Sequence, residues 1–156
     1  MYFKRKPNRL DRRVYKDPHR FHITICTEGK VDIFTEDTIV EKMISELKAV
    51  ADQMKWDVHA YCFEPNHLHL LVEPTEYDLD LVKFVSLFKQ LSGYWYKQKY
   101  GVKLWQKSFD DHVLRSDEAT EKVARYIFEN PAKDGLVKNW RDYPYLGSFT
   151  YNLDDL

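Results

Sequence analysis

The sequence predicts an α+β fold in which two helices cover one face of an antiparallel sheet. Segments with the alternating pattern of strands and segments with the three-and-four spacing of helices follow one another as β-α-β-β-α-β. Two successive strands are joined by a tight turn, which makes them antiparallel neighbours. A length of 156 residues, 44% of them hydrophobic, suits one domain with a real core.

The first half of the pattern contains three strands and one helix. Alternation over 21–26 predicts a strand with one buried face, and apolar residues at helical spacing predict a helix over 37–54. The stretch 56–63 alternates again, so its even-numbered side chains, from Trp56 to Cys62, are expected on one face. After the turn Glu64-Pro65-Asn66, a third strand covers 67–73.

The second half adds two helices and a strand. A helix is predicted over 79–100, with Gly101 as its terminator, followed by a short strand over 111–115. A last helix is predicted over 117–130, because Ser116 can cap its start and Pro131 disfavours helix in the residue before it. The complete order predicts a ferredoxin-like sandwich with an additional C-terminal helix.

Composition limits the class of protein. An aromatic fraction of 15% excludes low-complexity disorder, and two cysteines are too few for a disulfide scaffold. The apolar runs are too short to cross a membrane, and no secretory signal is visible, so we expect a cytoplasmic protein without a membrane partner. The predicted organisation is a basic arm over 1–20, one domain over 21–150 and a tail over 151–156.

The net charge of −1 conceals two basic blocks. Residues 1–20 contain eight basic and two acidic side chains, and residues 83–107 contain six lysines and no acid. A cationic track interleaved with aromatic rings is typical of a surface that binds single-stranded DNA, although a solvated helix face would give the same pattern. The candidate DNA contacts are Arg5, Arg9, Arg12, Arg13, Lys83, Lys89 and Lys97.

Two pairs of residues indicate chemistry. His67 and His69 are two apart on a strand, so both imidazoles project from one face and could share a divalent ion, unless they are ordinary surface histidines. Tyr126 and Asn130 are four apart and share a helix face. A tyrosine on a helix more often packs, and an asparagine before proline more often marks a helix end.

Together these residues resemble a known family. His67-Leu68-His69 resembles the His-hydrophobic-His motif of HUH nucleases, and the runs 61–72 and 125–137 resemble the two motif segments of single-tyrosine transposases. The fragments 104–106 and 142–145 also fit, and the resemblance extends from about Tyr15 to Ser148. Within the IS200-like transposases, the sequence resembles the REP-associated tyrosine transposases.

This resemblance implies an activity and roles for the residues that carry it. Tyr126 would be the nucleophile that attacks a DNA phosphate, and His67, His69 and Asn130 would bind Mg²⁺ or Mn²⁺. Such enzymes cleave single-stranded DNA, leaving a 5′-phosphotyrosine and a free 3′-hydroxyl, and later rejoin the strand. The REP-associated branch implies hairpin DNA as the partner, and a monomer or homodimer as the assembly.

Two positions depart from the family pattern. Glu64 stands where relatives often have methionine, and Phe128 stands where they often have histidine, but neither change removes a proposed ligand. One alternative is a non-catalytic protein that binds nucleic-acid hairpins. A third reading is a zinc hydrolase that uses His67, His69 and a cysteine, either Cys26 or Cys62, although small core residues are the simpler reading of both cysteines.

Overall fold

The structure, a computed structural model, describes residues 19–156, so the candidate contacts Arg5, Arg9, Arg12 and Arg13 lie outside the described residues. The main elements are β1 Phe21–Cys26, α1 Asp37–Met54, β2 Trp56–Glu64, β3 His67–Pro74, α2 Leu81–Tyr100, β4 Asp110–Val113, α3 Thr120–Lys133 and β5 Leu146–Gly147. The strands form one antiparallel sheet in the order β4-β1-β3-β2-β5. The predicted α+β, β-α-β-β-α-β sandwich with an additional helix is confirmed.

Helices α1 and α2 cover one face of the sheet, and the larger core lies between them and the strands. α1 has the predicted bounds. Val40, Met43 and Leu47 of its apolar stripe are fully buried against the sheet and α2, as the helical spacing of the stripe indicates. α2 begins two residues later than predicted, since the Asp80 carboxylate accepts a hydrogen bond from the Val82 amide at 2.9 Å and caps the helix.

Strand β2 is not one continuous alternation, and the prediction of a single face from Trp56 to Cys62 is wrong. The pairing of β2 with β3 shifts between Val58 and Ala60, where a β-bulge adds one residue. Trp56 and Val58 therefore pack in the core beneath α1 and α2, whereas Ala60 and Cys62 pack in a second core under α3. After the bulge, the even-numbered side chains of β2 therefore point to the face opposite the one occupied by Trp56 and Val58.

Helix α3 covers the opposite face of the sheet and lies three residues later than predicted at both ends. Pro131 does not end the helix: it is buried, and the helix continues to Lys133 despite the usual preference of the preceding residue for extended backbone. The last turn is closed by the Asp134 amide, which donates to the Asn130 carbonyl at 2.9 Å. Tyr126 lies in the middle of this helix.

The C-terminal segment, predicted to be irregular, adds the edge strand β5. Gly147 pairs with Tyr61 of β2. A Cβ atom at position 147 would lie 2.4 Å from the Tyr61 hydroxyl oxygen, so a larger residue here would clash with the Tyr61 side chain. β4 also differs slightly from its prediction, at Asp110–Val113. Among residues 19–156, no helix is both long enough and apolar enough to cross a membrane.

Candidate functional site

The hairpin of β2 and β3 gathers a carboxylate and two imidazoles on the face covered by α3. The strand register pairs Glu64 with His67 and Cys62 with His69, so the three polar side chains meet at the turn. Glu64 Oε2 lies 3.0 Å from His67 Nε2 and 3.7 Å from His69 Nε2. One donor atom from each of the three residues lies within 4.8 Å of the others.

The rings of both histidines are oriented through their Nδ1 atoms. His67 Nδ1 donates to the Asn66 side-chain oxygen at 2.7 Å, and the Asn66 amide nitrogen faces the Lys30 carbonyl at 3.4 Å. His69 Nδ1 lies 3.2 Å from the Thr24 hydroxyl and 3.2 Å from His22 Nε2. Hydrogen bonds of this kind commonly orient metal-binding histidines and leave the other ring nitrogen for the ion.

Burial also controls the charge of these groups. Burial lowers the pKa of His69 to about 3, and the neighbouring His67 and His22 act in the same direction. Burial likewise raises the pKa of the Glu64 carboxyl above its ordinary value, with Asp134 contributing to the increase. Because a metal ligand must be an unprotonated imidazole, His69 is ready to bind an ion throughout the neutral pH range.

Tyr126 approaches this group from α3. Its ring meets the His22 ring edge to face at 6.4 Å, and the His22 ring lies 5.3 Å from that of His69. Half of the Tyr126 side chain is exposed, and the amino nitrogen of Lys133 lies 4.3 Å from its ring centroid. The phenol is therefore accessible, beside the histidines rather than among them.

Asn130 lies one turn after Tyr126, as predicted, and is partly buried. Within residues 19–156 its side chain makes no hydrogen bond to His67 or His69, so its role as a ligand stays a prediction. Phe128 is fully buried and stacks on Trp140 with 5.4 Å between ring centroids. This position therefore faces the second core and not the histidines.

A cavity of about 560 Å³ opens beside Tyr126. Its lining combines the basic side chains His22, His112, Arg115 and Lys122 with the carboxylates of Asp117 and Glu118. Burial and the nearby His112 both lower the pKa of His22, so its imidazole contributes a polar surface without a charge at neutral pH. Arg115 Nε donates to Asp117 at 3.1 Å, so Lys122 is the more available cation for a phosphate at this opening.

The lysines of α2 differ in what they can bind. The Lys89 amine donates to the carbonyl oxygens of Gln106, Lys107 and Ser108, at 2.8 to 3.2 Å, and so fastens the following loop to the helix. Lys97 instead lines an open groove of about 570 Å³, together with Lys103, Lys107 and the exposed Tyr94. Lys83 is exposed on the same helix.

Trp105, which follows α2, is buried. Its indole nitrogen donates to the Ser92 hydroxyl at 2.9 Å, and its ring lies against the position of Gly93 in α2. Trp105 lines the floor of this groove, and the exposed Tyr94 supplies most of its accessible aromatic surface.

Two other histidine and cysteine positions are structural. His59 bonds to Thr150 at 2.7 Å and to Glu73 at 2.9 Å, so both of its ring nitrogens are engaged within the fold. Burial raises the pKa of the Cys62 thiol, which disfavours the thiolate that zinc requires. Among the described residues, the group that could hold a metal ion, Glu64, His67 and His69, contains no cysteine, so the zinc-hydrolase reading has no support here.

Sequence reasoning missed three members of this site: Thr24 and His22, which it did not assign to the site, and Glu64, which it treated only as a departure from the family. Pairing β1 antiparallel to β3 would have revealed Thr24 and His22, since Thr24 lies opposite His69 and the two β1 residues share its face. The orientation of Glu64 was not accessible in this way, because it depends on the bulge upstream.

Comparison of the sequence with known proteins matches transposases. The family described as Transposase IS200 like matches residues 15–130. A Haemophilus influenzae protein assigned as a REP-associated tyrosine transposase is 28% identical over 136 residues, which cover 80% of this chain and 77% of that protein. The REP-associated tyrosine transposase of Escherichia coli K12 is 29% identical over 91 residues, which cover 58% and 53% of the two chains.

Solved structures share the fold. A REP-associated tyrosine transposase bound to a REP hairpin superposes with a TM-score of 0.73 at 21% identity, over 94% of this chain and 82% of that one. A protein of Deinococcus radiodurans assigned as a transposase gives a TM-score of 0.55 at 19% identity, over 82% and 97%. Since the family match covers most of the sequence, this chain belongs to the IS200-like transposases.

Proposed function

We propose that this protein cleaves and rejoins single-stranded DNA, with hairpin DNA of the REP type as its substrate. The proposal is supported above all by the approach of Tyr126, through His22, to the imidazoles of His67 and His69 in a chain of the transposase family. The named relatives, one of them bound to a REP hairpin, favour this class of substrate.

Tyr126 is the proposed nucleophile. Its phenol oxygen attacks the phosphorus atom, the bond to the 3′-oxygen breaks, and the 5′-phosphate becomes joined to the tyrosine. The phenol proton is lost and the departing 3′-oxygen gains one, so the strand ends as a 3′-hydroxyl. Attack of a 3′-hydroxyl on the phosphotyrosine reverses the step and rejoins DNA without an external energy source.

His67, His69 and Asn130 are the proposed ligands of Mg²⁺ or Mn²⁺. The unprotonated Nε2 atoms of the two imidazoles face a buried carboxylate oxygen, and such a donor set suits a divalent ion. When bound, the ion would stabilise negative charge on the phosphate oxygens. His22 and Thr24 hold the His69 ring in its orientation throughout.

The proposed DNA path uses the basic surfaces. Lys122 lines the cavity beside Tyr126 and would contact a phosphate that flanks the cleavage point, and Arg115 would do so after exchanging its contact with Asp117. The groove with Lys97 and Tyr94 offers charge and a stacking platform for a single strand, and Lys83 extends the basic face of α2. The arm residues Arg5, Arg9, Arg12 and Arg13 are proposed to read the hairpin, and the assembly to be a monomer or homodimer.

The test is incubation of the protein with REP-type hairpin DNA and Mn²⁺, followed by detection of a covalent adduct. Tyr126→Phe should abolish the adduct and leave hairpin binding intact, while Tyr77→Phe, a change at another exposed tyrosine, should preserve both. An adduct formed by Tyr126→Phe would refute the assignment of the nucleophile. Tight binding without any adduct in the parent protein would support the non-catalytic hairpin-binding alternative.

A further inference from the structure

Glu64 contains a buried carboxylate oxygen with no hydrogen bond. The residue is 1% exposed, its carboxyl group faces His67 and Asp134, and Oε2 has no assigned hydrogen-bond donor within residues 19–156. Leaving such an atom unsatisfied costs on the order of 1–3 kcal/mol, more when the group is charged. A buried carboxylate oxygen with no donor is the kind of atom that a cation would stabilise.

The contact between Glu64 and His67 explains the missing hydrogen bond. In the neutral tautomer whose Nδ1–H donates to the Asn66 oxygen, 2.7 Å away, Nε2 of His67 presents a lone pair. That nitrogen and Glu64 Oε2 are 3.0 Å apart, which places two electron-rich atoms face to face. A cation bound by both His67 Nε2 and Glu64 Oε2 would replace the repulsion between these two atoms with attraction to the ion.

The spacing fits one ion. Two ligands at right angles around an octahedral cation, each about 2.1 Å from it, are about 3.0 Å apart. Glu64 Oε2 and His67 Nε2 have this separation, whereas His69 Nε2 lies farther away, at 3.7 Å from Glu64 Oε2. The donor atoms of the three residues lie within 4.8 Å of one another, so the His69 ring would have to move toward the other two ligands when an ion binds.

We propose that Glu64 is a direct metal ligand, alongside the two histidines. This inference rests on the metal site of the proposed function and changes its composition. A carboxylate oxygen is a ligand that Mg²⁺ and Mn²⁺ favour, and it replaces the methionine often found here in relatives. With Asn130 as a fourth ligand, two positions of an octahedron remain for a phosphate oxygen and water.

The assignment also locates the site within the fold. Glu64 ends β2 and the two histidines belong to β3, so three ligands come from one hairpin that is paired along its length. Ion binding should therefore be possible without DNA. We expect Asn130→Ala, which changes the ligand predicted on α3, to retain more metal affinity than a change at Glu64.

The test is Mn²⁺ binding by the full chain without DNA, measured from the EPR signal of free Mn²⁺. Glu64→Gln should weaken binding by at least about tenfold. Glu73→Gln, which alters a carboxylate on β3 that also contacts a histidine at 2.9 Å, should leave it unchanged. Glu64→Met, which places an uncharged side chain at this buried position, should fold and show the same loss.

The outcomes separate this inference from the proposed function. If the parent chain binds Mn²⁺ and both Glu64 variants bind it equally well, Glu64 is not a ligand, while the histidine site stands. If the parent chain binds no Mn²⁺, the metal site itself is wrong and Glu64 falls with it. Weaker binding confined to the Glu64 variants would support the assignment.

Discussion

The amino nitrogen of Lys133 lies 4.3 Å from the centroid of the Tyr126 ring, two turns further along the same face of α3. A cation over an aromatic ring contributes about 0.5–1 kcal/mol at an exposed site, and here it would favour the negative charge that develops on the phenol oxygen. We expect Lys133→Gln to slow adduct formation about two- to fivefold at saturating DNA. Single-turnover kinetics would measure this, with Lys138→Gln as control; equal rates in all three proteins would contradict it.

His69 should remain neutral in acid far below the range of an ordinary histidine. Burial lowers its pKa to about 3, so its imidazole resonances should stay constant between pH 8 and 5 in an NMR titration. Because the unfolded chain takes up this proton near pH 6.5, the contribution of His69 to stability is complete above that pH and is lost as the pH falls toward 3. A midpoint near 6.5 for His69 in the folded protein would disprove the prediction.

Metal binding should stabilise the fold. At a Mn²⁺ concentration about 100-fold above Kd, the free energy of unfolding should rise by about 2.7 kcal/mol, because the unfolded chain has no assembled site. For a domain of this size that corresponds to an increase in Tm of roughly 5–10 °C. The double variant His67→Gln/His69→Gln should lose the increase, and scanning calorimetry with and without EDTA would check it. The same increase in both proteins would show that the ion binds elsewhere.

The groove on α2 should contribute to DNA affinity through charge. Lys97→Gln combined with Lys103→Gln removes two lysines from its lining, so the slope of log K against log salt should become shallower by about 1.4 for single-stranded DNA. Fluorescence anisotropy at several salt concentrations would measure the slope. Lys55→Gln, at an exposed lysine that contacts Glu76 across 3.6 Å, is the matched control and should not change it.

Phe128→His should damage the fold without improving catalysis. Phe128 is fully buried against Trp140, and an imidazole there would leave polar nitrogen atoms in the second core. We expect a loss of about 1–3 kcal/mol in the free energy of unfolding, against less than about 1.5 kcal/mol for Phe128→Leu. Urea denaturation would compare the two variants, and a more active Phe128→His enzyme would contradict this view of the position.

Much of the fold could be predicted from the sequence because long elements repeat their pattern. The apolar stripe of α1 recurs over 18 residues, which was long enough to predict both ends of the helix correctly. The ends of α3 were displaced because Pro131 is buried within the helix and tertiary packing outweighs the local preference. β5 was missed because two residues are too few to show a period.

The candidate site was predictable only where a single element determines it. Alternation along β3 sufficed to place His67 and His69 on one face. The contributions of His22 and Thr24 required knowledge of which strand pairs with β3. The basic groove required knowledge of which lysines bond internally, as Lys89 does with three carbonyl groups.

The bulge between Val58 and Ala60 makes the candidate site sensitive to the length of β2. It acts as a phase shift of one residue, after which Cys62 and Glu64 point toward α3 and Phe63 points toward the larger core. Deletion of one residue at the bulge would restore continuous alternation along β2. The Glu64 side chain would then point into the larger core, and Phe63 would point toward the histidines. Deletion of His59, which is none of the proposed metal ligands, would thus remove Glu64 from the site as effectively as replacing Glu64 itself.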